Sequence, residues 1–248
     1  MTAGKDIHLQ AARISSAGDM TIAGKRQVEL GTAVAEKDNR VTWDRSNDRR
    51  DSTAMETGST LTAGRNLTVE NGKEITDLEE HHRHKEKGLL SSKTTTTYDE
   101  VKRTDTTGSI VEGDTLTMTA GKDISLTGSV AASTKETALS AGRNISIHAA
   151  EETDKEIHKK QVKKSGLIGG GLGFTIGSEK KKDSYDTEET MQAESTVGSV
   201  KGNVTIHAGQ TASVSASDII AGKDTLITGR NVDIESKDNT YRGKEEHE

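Results

Sequence analysis

Pairs of aliphatic residues split by a single polar residue recur along the chain: Ile7-x-Leu9, Leu67-x-Val69, Ile124-x-Leu126, Ile145-x-Ile147, Val204-x-Ile206 and Val232-x-Ile234. Alternation with period 2 is strand chemistry, and the 3.6-residue periodicity of helices is absent. The pairs follow a glycine and one or two polar residues, as in AGKDISL at 120–126 and AGRNISI at 141–147. Gly4, Gly64, Gly121, Gly142, Gly222 and Gly229 head copies of this phrase. They are expected to supply corners that need unusual φ/ψ.

The spacing of the copies sets the architecture. Gly121 and Gly142 are 21 residues apart, and Gly202 and Gly222 are 20 apart. A finer beat of 7 separates Gly202 from Gly209 and Gly222 from Gly229. A fixed period of this size marks a solenoid. The beat predicts a coil of about 20 residues with three sides of about 7. The aliphatic pairs point inward, and stacked coils put Ile on Ile at a spacing of roughly 4.8 Å. The expected fold is all-β: a triangular parallel β-helix, right-handed because parallel connections are.

The repeat lapses over about 35–57, 71–110 and 150–196. The last two lapses correspond. AGRNLTV at 63–69 is followed by EEHHRHKEKGLL, and AGRNISI at 141–147 by EIHKKQVKKSGLI. Both Gly64 to Gly142 and Gly88 to Gly166 span 78 residues. These excursions are read as extended β-hairpins or loops leaving the helix, with irregular coils or disorder as the alternatives. The whole of 1–248 reads as one β-helix domain. Met1 is followed at once by a repeat and neither end carries a cap, as in a fragment of a longer chain.

Composition agrees with a thin core. Hydrophobic residues make up 29% of the chain and aromatics 2%, yet the net charge of −6 is too small to indicate disorder. There is no proline, which suits strands that each donate to a ladder. There is no cysteine, which excludes disulfides and thiolate metal sites.

Candidate chemistry is sparse. His81, His82 and His84 lie beside Glu79 and Glu80, but the corresponding segment keeps only His158. A solvated charged strand explains them better than a metal site. Lys159, Lys160, Lys163 and Lys164 are candidates for contact with an anionic surface, such as lipopolysaccharide or glycosaminoglycan, although nearby acids offset them. The uncharged stretch Leu167–Gly177 holds Leu167, Ile168, Leu172, Phe174 and Ile176. It is a candidate membrane or partner contact, with a flexible hairpin tip or a segment lying on the solenoid as the alternatives. Gly169–Gly171 lack the Lys-Ser/Thr of a phosphate loop. No nucleophile elbow, zincin signature or triad is present, so no enzyme, cofactor or small-molecule substrate is expected. Nucleic acid is not an expected partner, because the chain is acidic and its basic residues are not interleaved with aromatics.

The phrase AG[KR][DN]-φ-x-φ, where φ is aliphatic, resembles the filamentous haemagglutinin repeat. The sequence from GRN-φ-x-φ through a charged EE…K segment, GFTIGS, STVGSVKGNVTI and SDIIAGKDTLIT is similar to the second class of such repeats. The resemblance implies a non-catalytic module of a large exoprotein, exported by two-partner secretion through an outer-membrane transporter. It further implies display on a Gram-negative cell surface. In contact-dependent growth inhibition toxins of this kind, the module is expected to help carry a C-terminal toxin to or across the target-cell outer membrane. An adhesin stalk binding host glycans or matrix is the alternative.

Overall fold

The computed structural model describes the backbone of residues 2–3, 6–10, 23–24, 27–31, 33–57, 66–69, 72–169 and 174–248. Side chains are described for 34–55, 73–166 and 176–248. The regular elements are all strands. In chain order they are β1 (Thr2–Ala3), β2 (Asp6–Gln10), β3 (Ala23–Gly24), β4 (Gln27–Gly31), β5 (Ala33–Asp44), β6 (Asn47–Thr57), β7 (Asn66–Val69) and β8 (Gly72–Lys87). Then come β9 (Ser91–Thr107), β10 (Ile110–Ala120), β11 (Asp123–Thr127), β12 (Val130–Ala141), β13 (Ile145–His148), β14 (Ala150–Gly169) and β15 (Phe174–Ala193). The last are β16 (Ser195–Ser199), β17 (Val204–Ala208), β18 (Thr211–Ser215), β19 (Ser217–Ala221), β20 (Thr225–Thr228), β21 (Asn231–Glu235) and β22 (Thr240–His247).

Parallel sheets build a coil with three sides. The first side is the start of β10 and of β12, with β16 and β19. The second is the end of β10 and of β12, with β17 and β20. The third is a seven-stranded stack, β2-β4-β7-β11-β13-β18-β21. Its register puts Ile7, Val28, Leu67, Ile124, Ile145, Ala212 and Val232 in one row. Val69, Leu126, Ile147, Val214 and Ile234 form the next. Val204 and Ile206 belong to the second side, where Ile206 lies between Leu139 and Ile227.

Inside the coils, Ile124, Leu126, Ile145, Ile147, Val204 and Ile206 are fully buried together with Met118, Leu139 and Val197. Each such side chain contributes about 1.5–3 kcal/mol by leaving water. Burial ends with the stack. Val232 and Ile234, in the last coil, are 44% and 68% exposed. One row is interrupted by Thr137, which is buried and whose hydroxyl donates to the Gly198 carbonyl at 2.6 Å. That bond removes the penalty for burying the hydroxyl.

The phrase Gly-[KR]-[DN] has a steric and a polar part. Gly142 does not lie in the left-handed region; the described positive-φ glycines are Gly128 and Gly166. Gly142 is required because a Cβ there would run into the carbonyl oxygen of Gly121 in the neighbouring coil. The corner is thus set by close stacking of coils and not by an unusual φ as the sequence suggests. Gly4 and Gly64 lie outside the described residues. The polar part runs from coil to coil. Asn144 donates from its backbone and side-chain nitrogens to Asp123 Oδ1 (3.2 and 3.1 Å), and Thr211 N donates to Asn144 Oδ1 at 3.3 Å. Arg143 pairs with Asp123 as well.

The excursions are antiparallel hairpins: β5–β6, β8–β9 and β14–β15. Each begins just after a third-side strand, β4, β7 or β13, and β22 likewise follows β21. After β11 and β18 the same corner is closed by one residue in the left-handed region, Gly128 (φ 51°) or Ala216 (φ 43°). Leaving from one corner, the hairpins pair with each other. The result is a single antiparallel sheet, β5-β6-β8-β9-β14-β15-β22, in chain order. A coil rises by one strand spacing and a hairpin is two strands wide, so a hairpin in every second coil keeps both sheets in step. The coils of β7, β13 and β21 follow that rule, with β11 and β18 as the plain coils between them. The coils of β4 and β7 depart from it by carrying hairpins in succession.

Candidate functional site

The lysines and histidines singled out in the sequence lie on the hairpin sheet. Its strands are long, up to 20 residues in β14 and β15, and polar on both faces. With no apolar face to set the register, charges are matched across strands. Where β9 meets β14, Arg103 Nε donates to Asp154 Oδ2 at 3.0 Å, and His158 Nδ1 lies 2.7 Å from Asp99 Oδ1. Thr106 donates from both N and Oγ1 to Glu152 Oε1 (2.9 and 2.8 Å). Where β15 meets β22, His247 Nδ1 lies 2.9 Å from Asp183, and Lys182 pairs with Glu248. Contact with Asp183, then with Glu245, raises the His247 pKa above its ordinary value. Contact with Lys102, then Tyr98, lowers that of Glu100.

The sequence-predicted residues fall differently on this sheet. Opposed residues share a face, so the registers assign each side chain to one of two faces. Lys159 and Lys163 stand on one face, in rows with Tyr98 and with Thr94 and Lys180. Lys160 and Lys164 stand on the other, where Lys164 pairs with Glu179 at 3.6 Å. His82 and His84 are separated from His81 in the same way. His82 Nε2 lies 2.5 Å from Glu80 Oε1 and its ring is 5.2 Å from that of Trp43. Among the described residues, no group of three or more His, Cys, Asp or Glu is placed to hold a metal ion.

The Leu167–Gly177 segment closes the β14–β15 hairpin. Leu167 opposes Ile176, and Gly169 opposes Phe174. Leu172 lies outside the described residues, as do the side chains of Leu167, Ile168 and Phe174. Ile176 is 81% exposed. It has a counterpart at the turn of the β8–β9 hairpin, where Leu89 is 100% exposed and Leu90 65%. Gly166, at φ 113°, lies against the Leu90 carbonyl, so the two apolar tips are neighbours. Among the described residues, no helix is long and apolar enough to cross a membrane.

A serine seam at the hairpin corner escaped sequence reasoning. Ser129 Oγ donates to the Thr127 carbonyl, and Ser217 Oγ to Ser215, each two residues back. Ser195 makes the same contact with His148, 47 residues back, across the β14–β15 hairpin. The signal was a serine after each one-residue corner: Gly128-Ser129 and Ala216-Ser217.

A "Hemagglutinin repeat" family model matches residues 88–248 of the chain. The chain belongs to the haemagglutinin-repeat family. It is 43% identical over 183 residues to the 16S rRNA endonuclease CdiA of Enterobacter cloacae, covering 71% of this chain. It is 33% identical over 273 residues to the tRNA nuclease CdiA of Escherichia coli strain STEC_O31, covering 95%. The tRNA nuclease CdiA-2 of Burkholderia pseudomallei is 30% identical over 277 residues, covering 96%. The chain spans only 5%, 8% and 9% of these relatives. Their nuclease names describe the full-length proteins, and the region matched here is haemagglutinin repeat. No solved structure matches the chain. This haemagglutinin-repeat stretch is a module of a large secreted exoprotein, and its relatives are cell-surface proteins of Gram-negative bacteria.

Proposed function

We propose that this stretch is a non-catalytic delivery module, in which the β-helix is a rigid spacer and the hairpin sheet engages the target-cell outer membrane. In this reading it helps carry a C-terminal toxin to or across that membrane, after export through an outer-membrane transporter. The observation that carries the reading is the gathering of hairpins from separate coils into one continuous sheet. A spacer needs only coils, and the sheet is built at one corner without disturbing them. Its end carries exposed apolar residues, Leu89, Leu90 and Ile176. Such tips suit contact with an apolar phase.

The test uses the full-length exoprotein with residues 150–194 deleted, so that Ala149 alone joins His148 to Ser195 as Ala216 joins Ser215 to Ser217. Surface display and cell-to-cell contact are expected to persist while inhibition of target-cell growth is lost. Full inhibition by the shortened protein would reject the delivery role.

A further inference from the structure

The face of the hairpin sheet that carries Lys163 is electrically lopsided. Near the coils its rows mix signs, as in Asp77, Lys102, Lys155, Glu188 and Arg242. Beyond the row of Tyr98 and Lys159 it presents Arg83, Lys85, Lys87, Lys163, Lys180 and Lys182. The one carboxylate described there is Glu248, at the edge, and it pairs with Lys182. Lys163 and Lys180 are direct cross-strand partners. Like charges so placed repel each other. Lys180 titrates below its ordinary value, through lost hydration and then through the charges of Lys182 and Lys163. The opposite face at the same height is mixed: Lys93 pairs with Glu86, and both Lys164 and Lys181 pair with Glu179.

Next to the cations lies a shallow groove whose lining includes Thr96, Tyr98, Gln161 and Ser184, with the carboxylates of Glu246 and Glu248 on its β22 side. Hydroxyl and amide groups beside an aromatic ring suit a saccharide. The Lys159 ammonium sits 5.9 Å from the centre of the Tyr98 ring, which presents a cation at the groove edge. Six cations facing one carboxylate are a cost in the free protein that a polyanion would relieve.

We propose that the outer half of the Lys163 face binds the phosphate groups of lipopolysaccharide on the target cell. Lys85, Lys163 and Lys180 meet the phosphates, and the Tyr98 groove takes the adjoining sugar. The proposal rests on the delivery reading for the identity of the surface that supplies the phosphate. The binding itself needs no toxin.

The experiment measures binding of the chain to immobilised lipopolysaccharide with a phosphorylated core, and to the same material after enzymatic dephosphorylation. Lys163→Gln/Lys180→Gln is compared with Lys164→Gln/Lys181→Gln, which removes the same charge from the other face. The first variant is expected to bind at least about tenfold more weakly, since two charge-assisted contacts are lost, and the second within about twofold of the parent. Dephosphorylation should weaken the parent and abolish the difference between the variants. Because Lys163→Gln/Lys180→Gln relieves a repulsion, its thermal melt should not fall, which separates lost binding from lost folding. Equal losses in the two variants, or undiminished binding after dephosphorylation, would overturn the proposal. Face-dependent binding to heparin with none to lipopolysaccharide would also overturn it, in favour of a sulfated host glycan. Intact lipopolysaccharide binding with no effect of the 150–194 deletion on inhibition would reject the delivery role alone.

Discussion

Ser195 Oγ donates a 2.6 Å hydrogen bond to the carbonyl oxygen of His148, although a 20-residue strand leaves and another returns between them. The same hydroxyl accepts from Ser129 N at 3.1 Å in the neighbouring coil. The serine therefore closes the coil as though the hairpin were absent. Ser195→Ala would leave the buried Ser129 N–H without its acceptor, while the His148 carbonyl keeps its bond from Gly128 N at 3.0 Å. It is expected to destabilise the chain by about 1–3 kcal/mol. Ser184→Ala, on the hairpin sheet, should stay within about 0.5 kcal/mol. Chemical denaturation followed by circular dichroism distinguishes these, and equal effects would contradict the seam.

Gly142 and Gly177 make a second contrast. A methyl group at Gly142 meets the Gly121 carbonyl, whereas one at Gly177 meets nothing within 4 Å. Gly142→Ala must push two coils apart and is expected to cost about 1–3 kcal/mol or more. Gly177→Ala should be neutral or slightly stabilising, because alanine loses less freedom in a strand. The measurement is the same melt, with unchanged stability in Gly142→Ala as the contrary result.

Asp123 links the coils to pH. The Arg143 guanidinium, ahead of the Asn144 amide groups, holds its carboxyl below the ordinary value of 3.8. A depressed carboxylate stabilises the fold above the unfolded-state pKa, and that contribution is lost as pH falls through the folded-state value. Asp123→Asn keeps an oxygen to accept from Asn144 and removes the charge. The variant should melt below the parent at pH 7, and the gap should narrow as the pH falls below 3.8. A gap that stays constant through that fall would show that the ionised group contributes nothing.

The coils were legible in the sequence because their chemistry repeats. Ile124, Ile145 and their neighbours alternate inward and outward, and the glycine beat fixes how far apart their strands stack. The hairpins were legible only in outline. The β-branched run Thr94–Thr97 favours a strand, but a strand with polar residues on both sides carries no pattern that names its partner. Pairing of β9 with β14 is decided by their common corner and by contacts such as Arg103–Asp154, which lie 51 residues apart. The lysine cluster shows the same limit. Read as a run, Lys159, Lys160, Lys163 and Lys164 looked like one patch. The strand period divides them between faces and brings Lys180 and Lys85 to Lys163 from other strands.

Joining of separate hairpins into one sheet is the claim on which the functional reading stands, and cysteine pairing tests it directly. The chain contains no cysteine, so an introduced pair has no competitor. Thr97 opposes Lys160 and Thr96 opposes Gln161, across β9 and β14, which leave the helix from different coils. Residues opposed in this way are close enough for a disulfide. Under oxidation, Thr97→Cys/Lys160→Cys or Thr96→Cys/Gln161→Cys should form an intramolecular disulfide, read by mass spectrometry of the linked peptides. Thr97→Cys/Lys159→Cys, with side chains on opposite faces, should not. Failure of both opposed pairs, or equal crosslinking of the off-face pair, would contradict the joined sheet.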